Sequence, residues 1–152
     1  MKLVNKSLSE IKPYENNPRR NDGAVTAVEE SIKQCGYIAP IIVDEDGVIL
    51  AGHTRYKALV DMGETEARVL VADGVTEEQK KKYRLLDNKT GELAGWDFEK
   101  LAVELDGLDF GDFDFGFDSG SFEREDLVED MEVKEKEPKK IQCPHCGEWF
   151  EA

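Results

Sequence analysis

Apolar positions along the chain change period several times, and each change marks an element. Val25, Val28, Ile32 and Cys35 recur at helical spacing. Asp22 stands ahead of them as an N-cap, and Gly36 follows as the residue beyond the last turn. Pro40 to Val43 and Val48 to Ala51 are short β-rich runs, and Asp44-Glu45-Asp46-Gly47 between them is a hairpin signal. His53 to Met62 reads as a helix with Tyr56, Leu59 and Val60 inward, stopped by Gly63. Glu66 to Val71 forms a third strand. Thr76-Glu77-Glu78-Gln79 has the form of a capping box and opens a helix through about Asp87. Asp97 caps a short helix carrying Phe98, Leu101 and Leu105. Helices and strands interleave without an internal repeat, so the pattern predicts a compact α+β domain.

The pattern breaks at Asp106. Phe110 to Asp118 alternates aromatic and acidic residues without helical period, and Val133 to Lys140 is a charged linker with Pro138. The chain closes on Cys143-Pro144-His145-Cys146-Gly147. The expected organisation is a domain over 1–105, an acidic aromatic tail and linker over 106–140, and a small knuckle over 141–152.

Charge sharpens this division. The net charge is −14, and residues 104–138 carry fourteen acidic against three basic side chains. Residues 1–103 are only mildly acidic, with eighteen against fifteen. Duplex binding rests on Lys and Arg neutralising phosphates, so weak or no stand-alone DNA binding is expected. No apolar run approaches membrane-spanning length and no signal-peptide core opens the chain, which predicts a cytoplasmic protein away from membranes. Three cysteines fit a reducing compartment better than a disulfide framework.

The candidate chemistry starts at Val48-Ile49-Leu50-Ala51-Gly52-His53-Thr54-Arg55-Tyr56-Lys57, where a strand stops at glycine and a basic helix begins. A glycine there lets a ligand approach the backbone, and the first helical turn offers unpaired N–H groups to an anion. Arg55 and Lys57 add full charge, and Arg55 can hold a phosphate through two parallel bonds. Gly-x-x-Arg alone equally fits a tight turn ahead of a solvated basic helix. His53, on that first turn, is a candidate phosphate donor or general base.

Further elements narrow the choice. Asn16-Asn17-Pro18-Arg19 lies upstream, Gly36-Tyr37-Ile38-Ala39-Pro40-Ile41 precedes the hairpin, and Arg84-Leu85-Leu86-Asp87-Asn88-Lys89 comes after it. In this order they resemble the ParB/sulfiredoxin N-terminal domain, often labelled "ParB-like nuclease", of the type found in phages and with adenine-specific DNA methylases. The resemblance covers about residues 3–105. It implies a small mixed sheet with about four helices, and a pocket for a nucleoside triphosphate with Mg²⁺. By position, Gly52, Thr54, Arg55 and Lys57 would face phosphate. Gly36, Pro40 and Ile41 would wall the base or sugar, with Asn17 and Arg19 reaching the same pocket. Asp87 and Asn88 would be Mg²⁺ ligands, since that ion takes oxygen donors. The same pair equally fits a helix C-terminal cap.

The sequence departs from this pattern where His53 and Thr54 replace the acid and first arginine of the ParB box, removing charge that would grip a triphosphate. His53 also stands where sulfiredoxin has its thiol, and Cys35 reads as a small buried hydrophobe, so sulfinic-acid reduction is not expected. Cys143 and Cys146 fit half of a zinc ribbon, which a homodimer would complete as a shared Zn²⁺ site, or an unmetallated tail, or a redox thiol pair, whose strand-and-helix context is missing here. Three functional readings remain. The first is a domain binding a nucleotide or other phosphate ligand in phage or mobile-element DNA metabolism. The second is an adaptor or specificity module for a DNA methylase or replication partner. The third, a metal-dependent nuclease, lacks a cluster of three acidic residues.

Overall fold

The computed structural model describes residues 1–117 and the backbone of 140–142 and 149–151. The chain divides into two units, Met1–Phe115 and Gly116–Ala152. In the second, β5 (Lys140–Gln142) pairs antiparallel with β6 (Trp149–Glu151). Cys143 and Cys146 lie outside the described residues.

The first unit is built on four strands: β1 (Lys2–Ser7), β2 (Ile41–Asp44), β3 (Ile49–Ala51) and β4 (Glu66–Ala72). They lie in the order β1-β4-β2-β3. β4 runs antiparallel to β1 and parallel to β2, and β2 turns back antiparallel onto β3. Side chains alternate between the two faces. Ile41, Val43, Ile49, Ala67 and Val69 form the core with Leu8, Ile11 and Leu59, and Ile32 and Tyr56 pack against them from two helices. Those helices are α1 (Val25–Cys35) and α2 (His53–Asp61). The opposite face presents Ile42, Leu50, Leu70 and Ala72 to an apolar groove bordered by Tyr83 and Leu86 of α3 (Glu77–Glu92). α4 (Phe98–Leu105) comes next, capped as expected by Asp97, whose Oδ1 accepts the Lys100 N–H at 3.2 Å.

The α+β class and the four helices agree with the sequence pattern and the mixed sheet agrees with the resemblance, while several local expectations change. β1 is an addition that the pattern does not announce. Asp22 opens a short 3₁₀ turn to Ala24 instead of capping α1, and its carboxylate pairs with Lys57 at 2.6 Å. Val60 turns outward at 46 % exposure, and Cys35 is exposed at the end of α1. α3 continues one turn past Asp87, so Asp87 and Asn88 lie within a helix and do not cap it. The capping box is present: Thr76 Oγ1 accepts from the Gln79 N–H, and Gln79 Oε1 accepts from the Thr76 N–H. No helix among the described residues is long and apolar enough to cross a membrane.

A buried joint ties α3 to the sheet. Asp44 Oδ1 accepts the backbone N–H groups of Asp46 and Val48 in the β2–β3 turn, and its Oδ2 meets Lys80 Nζ of α3 at 3.2 Å. Both side chains are almost fully buried. Glu77 also takes a bond from Lys80. This pair fastens α3 to the hairpin one turn before Arg84.

Candidate functional site

Where β3 ends, Gly52 takes φ +98° and ψ +26°, and the chain turns directly into α2. The left-handed conformation suits glycine, and a Cβ here would sit 3.3 Å from Ile41 Cα. No side chain caps this helix, and its first internal bond runs from Tyr56 N–H to the Gly52 carbonyl at 2.9 Å. The N–H groups of the first turn therefore remain at the helix mouth. A cleft of about 220 Å³ opens there, walled by Asn17, Arg19 and Asn21 on one side and by Arg84, Asp87 and Asn88 of α3 on another. Gly52, His53, Thr54 and Arg55 form its floor.

The segment from Lys12 to Asn21 works as a strap over this cleft. Lys12 joins it to the hairpin, donating to the Gly47 carbonyl and accepting from Ile49 N–H, each at 2.9 Å. Tyr14 N–H then donates to His53 Nε2 at 3.2 Å, and the Tyr14 ring lies 3.9 Å from the Arg84 guanidinium carbon. Farther along, Arg19 donates to Asn88 Oδ1 at 2.7 Å and approaches Glu92 at 3.9 Å.

His53 is held neutral. Burial, then the neighbouring Arg84 and Lys57 charges, lowers its pKa below the ordinary histidine value. Because Nε2 accepts from Tyr14, the proton of the neutral ring belongs on Nδ1. A general base acting through Nε2 would first have to release the strap. Between the ordinary histidine pKa near 6.5 and the lower folded value, the unfolded chain binds more protons, so His53 costs stability as pH falls through that window. We predict that trypsin cuts after Arg19 or Arg20 faster at pH 5 than at pH 7.5, once corrected for the enzyme's own pH dependence. Equal corrected rates would show that His53 does not hold the strap.

Arg55 is partly committed. Its Nη1 donates to the Ala39 and Pro40 carbonyls at 2.7 and 2.8 Å, tying the loop before β2 to α2. The structure thus brings Asn17, Arg19, Gly52, His53, Thr54, Arg55, Asp87 and Asn88 together around one cleft. It does not bring the rest there. Lys57 is on another side of α2 with Asp22, Ile41 is sealed in the core, and Gly36 and Pro40 contribute no wall of the cleft. Asn88 has both amide atoms engaged, Oδ1 by Arg19 and Nδ2 by the Arg84 carbonyl. Asp87 lies beside Tyr83, whose phenol is pushed up by burial and then by that carboxylate. Among the described residues, no three His, Cys, Asp or Glu side chains are placed to share a metal ion. Asp87 remains as one carboxylate at the cleft wall, which suits a Mg²⁺ that arrives on phosphates and keeps most of its waters.

The sequence pattern does not single out Arg84. It is 8 % exposed, donates from Nε to the Ile49 carbonyl at 3.0 Å, and still reaches the cleft. The available signal is its spacing four residues beyond Lys80, which puts two basic residues on one helix face.

Comparison with known proteins decides the family. The model of the ParB N-terminal domain matches residues 2–89, more than half of the chain. The chain belongs to the ParB N-terminal domain family. A ParB-like nuclease domain-containing protein of Escherichia coli K12, YnaK, is 39 % identical over 83 residues, 54 % of this chain and 95 % of that one. Chromosome-partitioning protein ParB of Caulobacter crescentus, C-terminally truncated and complexed with CTP-γ-S, superposes with a TM-score of 0.56 at 19 % identity. That match covers 69 % of this chain and 62 % of the other, so this ParB-like chain spans less than two thirds of that protein. Arabidopsis thaliana sulfiredoxin aligns at a TM-score of 0.46 and 30 % identity, over 55 % of this chain and 97 % of the other. The cleft lies within the region that the family model covers.

Proposed function

We propose that this ParB-like domain binds a nucleotide or another phosphate ligand at the mouth of α2 and serves in DNA metabolism, in a phage or mobile-element setting. The observation that carries the reading is the uncapped first turn of α2 opening into a cleft that Arg19, Arg55 and Arg84 surround. Free N–H groups and the positive helix end attract an anion, and arginine forks match phosphate oxygens. The ParB structure from Caulobacter was obtained with CTP-γ-S, which supports a nucleotide as the ligand class. A metal ion accompanying the phosphates would find Asp87 at the wall, and Asn88 once Arg19 releases it.

Calorimetric titration with a nucleotide panel, with and without Mg²⁺, tests this reading. Arg55→Ala removes a cation from the floor and frees the Ala39–Pro40 carbonyls. The expected loss of affinity is about 1.5–3 kcal/mol, the range for hydrogen bonds to charged groups. Unchanged affinity in a folded variant, or no binding of any nucleotide by the wild type, removes the reading.

A further inference from the structure

The cations around the cleft are not equivalent, and the difference bears on what the site holds. Arg19 is engaged by Asn88 and Glu92 on the strap side. Arg55 spends Nη1 on two backbone carbonyls. Lys57 faces away and pairs with Asp22. Arg84 alone combines deep burial with uncommitted terminal amino groups. Its Nε is bonded to the Ile49 carbonyl, and the Tyr14 ring covers its flat face. Neither Nη has a hydrogen-bond partner among the described residues. No buried side-chain nitrogen or oxygen there is left unsatisfied, so these amino groups open into the cleft they line. The result is a planar fork fixed in orientation, the arrangement that grips two oxygens of one phosphate.

We infer that Arg84 is the principal phosphate-gripping residue of the site and that the ligand is a nucleoside monophosphate or diphosphate in preference to a triphosphate. This rests on the proposed nucleotide reading and adds the number of phosphates to it. Three observations limit that number. Among the described residues Arg84 alone of the cleft arginines keeps both terminal amino groups uncommitted, whereas Arg19 and Arg55 each have Nη1 engaged by the protein itself. Asp87 on the α3 wall opposes further negative charge in the absence of a metal ion. His53, being neutral, adds none of the missing positive charge.

The test titrates the full chain with the mono-, di- and triphosphates of cytidine and of adenosine in magnesium-free buffer at low salt. For at least one base, the monophosphate or diphosphate is expected to bind measurably and more tightly than the triphosphate. Arg84→Gln is expected to weaken the tighter of the two by at least tenfold. Its fold is checked by cooperative thermal unfolding, and if the variant unfolds, the wild-type series decides alone. A triphosphate that binds as tightly as or more tightly than both shorter forms for every base that binds overturns the inference while leaving nucleotide binding intact. A folded Arg84→Gln variant with wild-type affinity does the same. If none of the six ligands binds, the proposed function falls and this inference with it.

Discussion

Lys80→Met is expected to remove about 3–5 kcal/mol of stability, the cost of leaving one member of a buried ion pair without its partner. Lys80 and Asp44 are each 4 % exposed, and the methionine would leave Asp44 Oδ2 facing apolar surroundings with no cation. Against the 5–15 kcal/mol of an ordinary domain, the loss lowers the denaturant midpoint by a large fraction. Asp44→Asn keeps an oxygen for the Asp46 and Val48 N–H groups and leaves Lys80 its bond to Glu77, so it should cost less. A methionine variant within 1 kcal/mol of wild type would show that α3 is held by other contacts. The pair also sets a pH dependence. The Lys80 pKa is raised, first by the Glu77 bond and then by Asp44, against the opposing effect of burial. Its contribution is full below the ordinary lysine pKa of 10.5 and is lost as pH climbs through the higher folded value. Alkaline titration should therefore destabilise the wild type more than Lys80→Met.

The same helix shows where sequence reasoning runs out. Lys80-Lys81-Lys82-Tyr83-Arg84 looks like a solvated basic face, and Lys81 and Lys82 are exposed. Lys80 and Arg84 are buried because the hairpin turn supplies a carboxylate for one and the Ile49 carbonyl supplies an acceptor for the other. Neither partner is near in sequence, so local pattern could not reveal them. β1 escapes for a similar reason. Only Leu3 and Val4 among its six residues are strongly apolar, and Leu3 is exposed, so the strand exists through its ladder to β4. The hairpin, α1, α2 and the capping box are legible because their signals are local: glycines, caps and periodicity. Helix geometry corrects the placing of Lys57. Two positions beyond Arg55 it points to another side of α2, since residues i and i+2 do not share a face. Val60, next to the buried Leu59, turns outward by the same geometry.

Gly52→Val carries the other large effect, because this glycine joins the fold to the site. At φ +98° a branched side chain is strained whatever the surrounding space, at a cost of roughly 1–2 kcal/mol for the left-handed conformation. Space is also short, with Ile41 Cα at 3.3 Å and the Arg55 guanidinium at 3.4 Å from the first carbon alone. Crowding a packed site adds about 1–3 kcal/mol, which brings the expected total to about 3 kcal/mol. For a domain of this size that lowers the melting temperature by roughly 10–20 °C. Gly52→Ala bears most of the conformational cost with less crowding, so it should melt between wild type and valine. In the alanine variant that folds, the added carbon presses on Ile41 Cα at 3.3 Å and touches the Arg55 guanidinium at 3.4 Å, next to its bonds to the Ala39 and Pro40 carbonyls. Ligand affinity should then fall even where the domain stays folded, because the helix mouth and its cation no longer share one geometry. If Gly52→Val melts within 3 °C of wild type, the strand-to-helix junction is not under the constraint described, and the cleft floor is more pliable than its glycine requires.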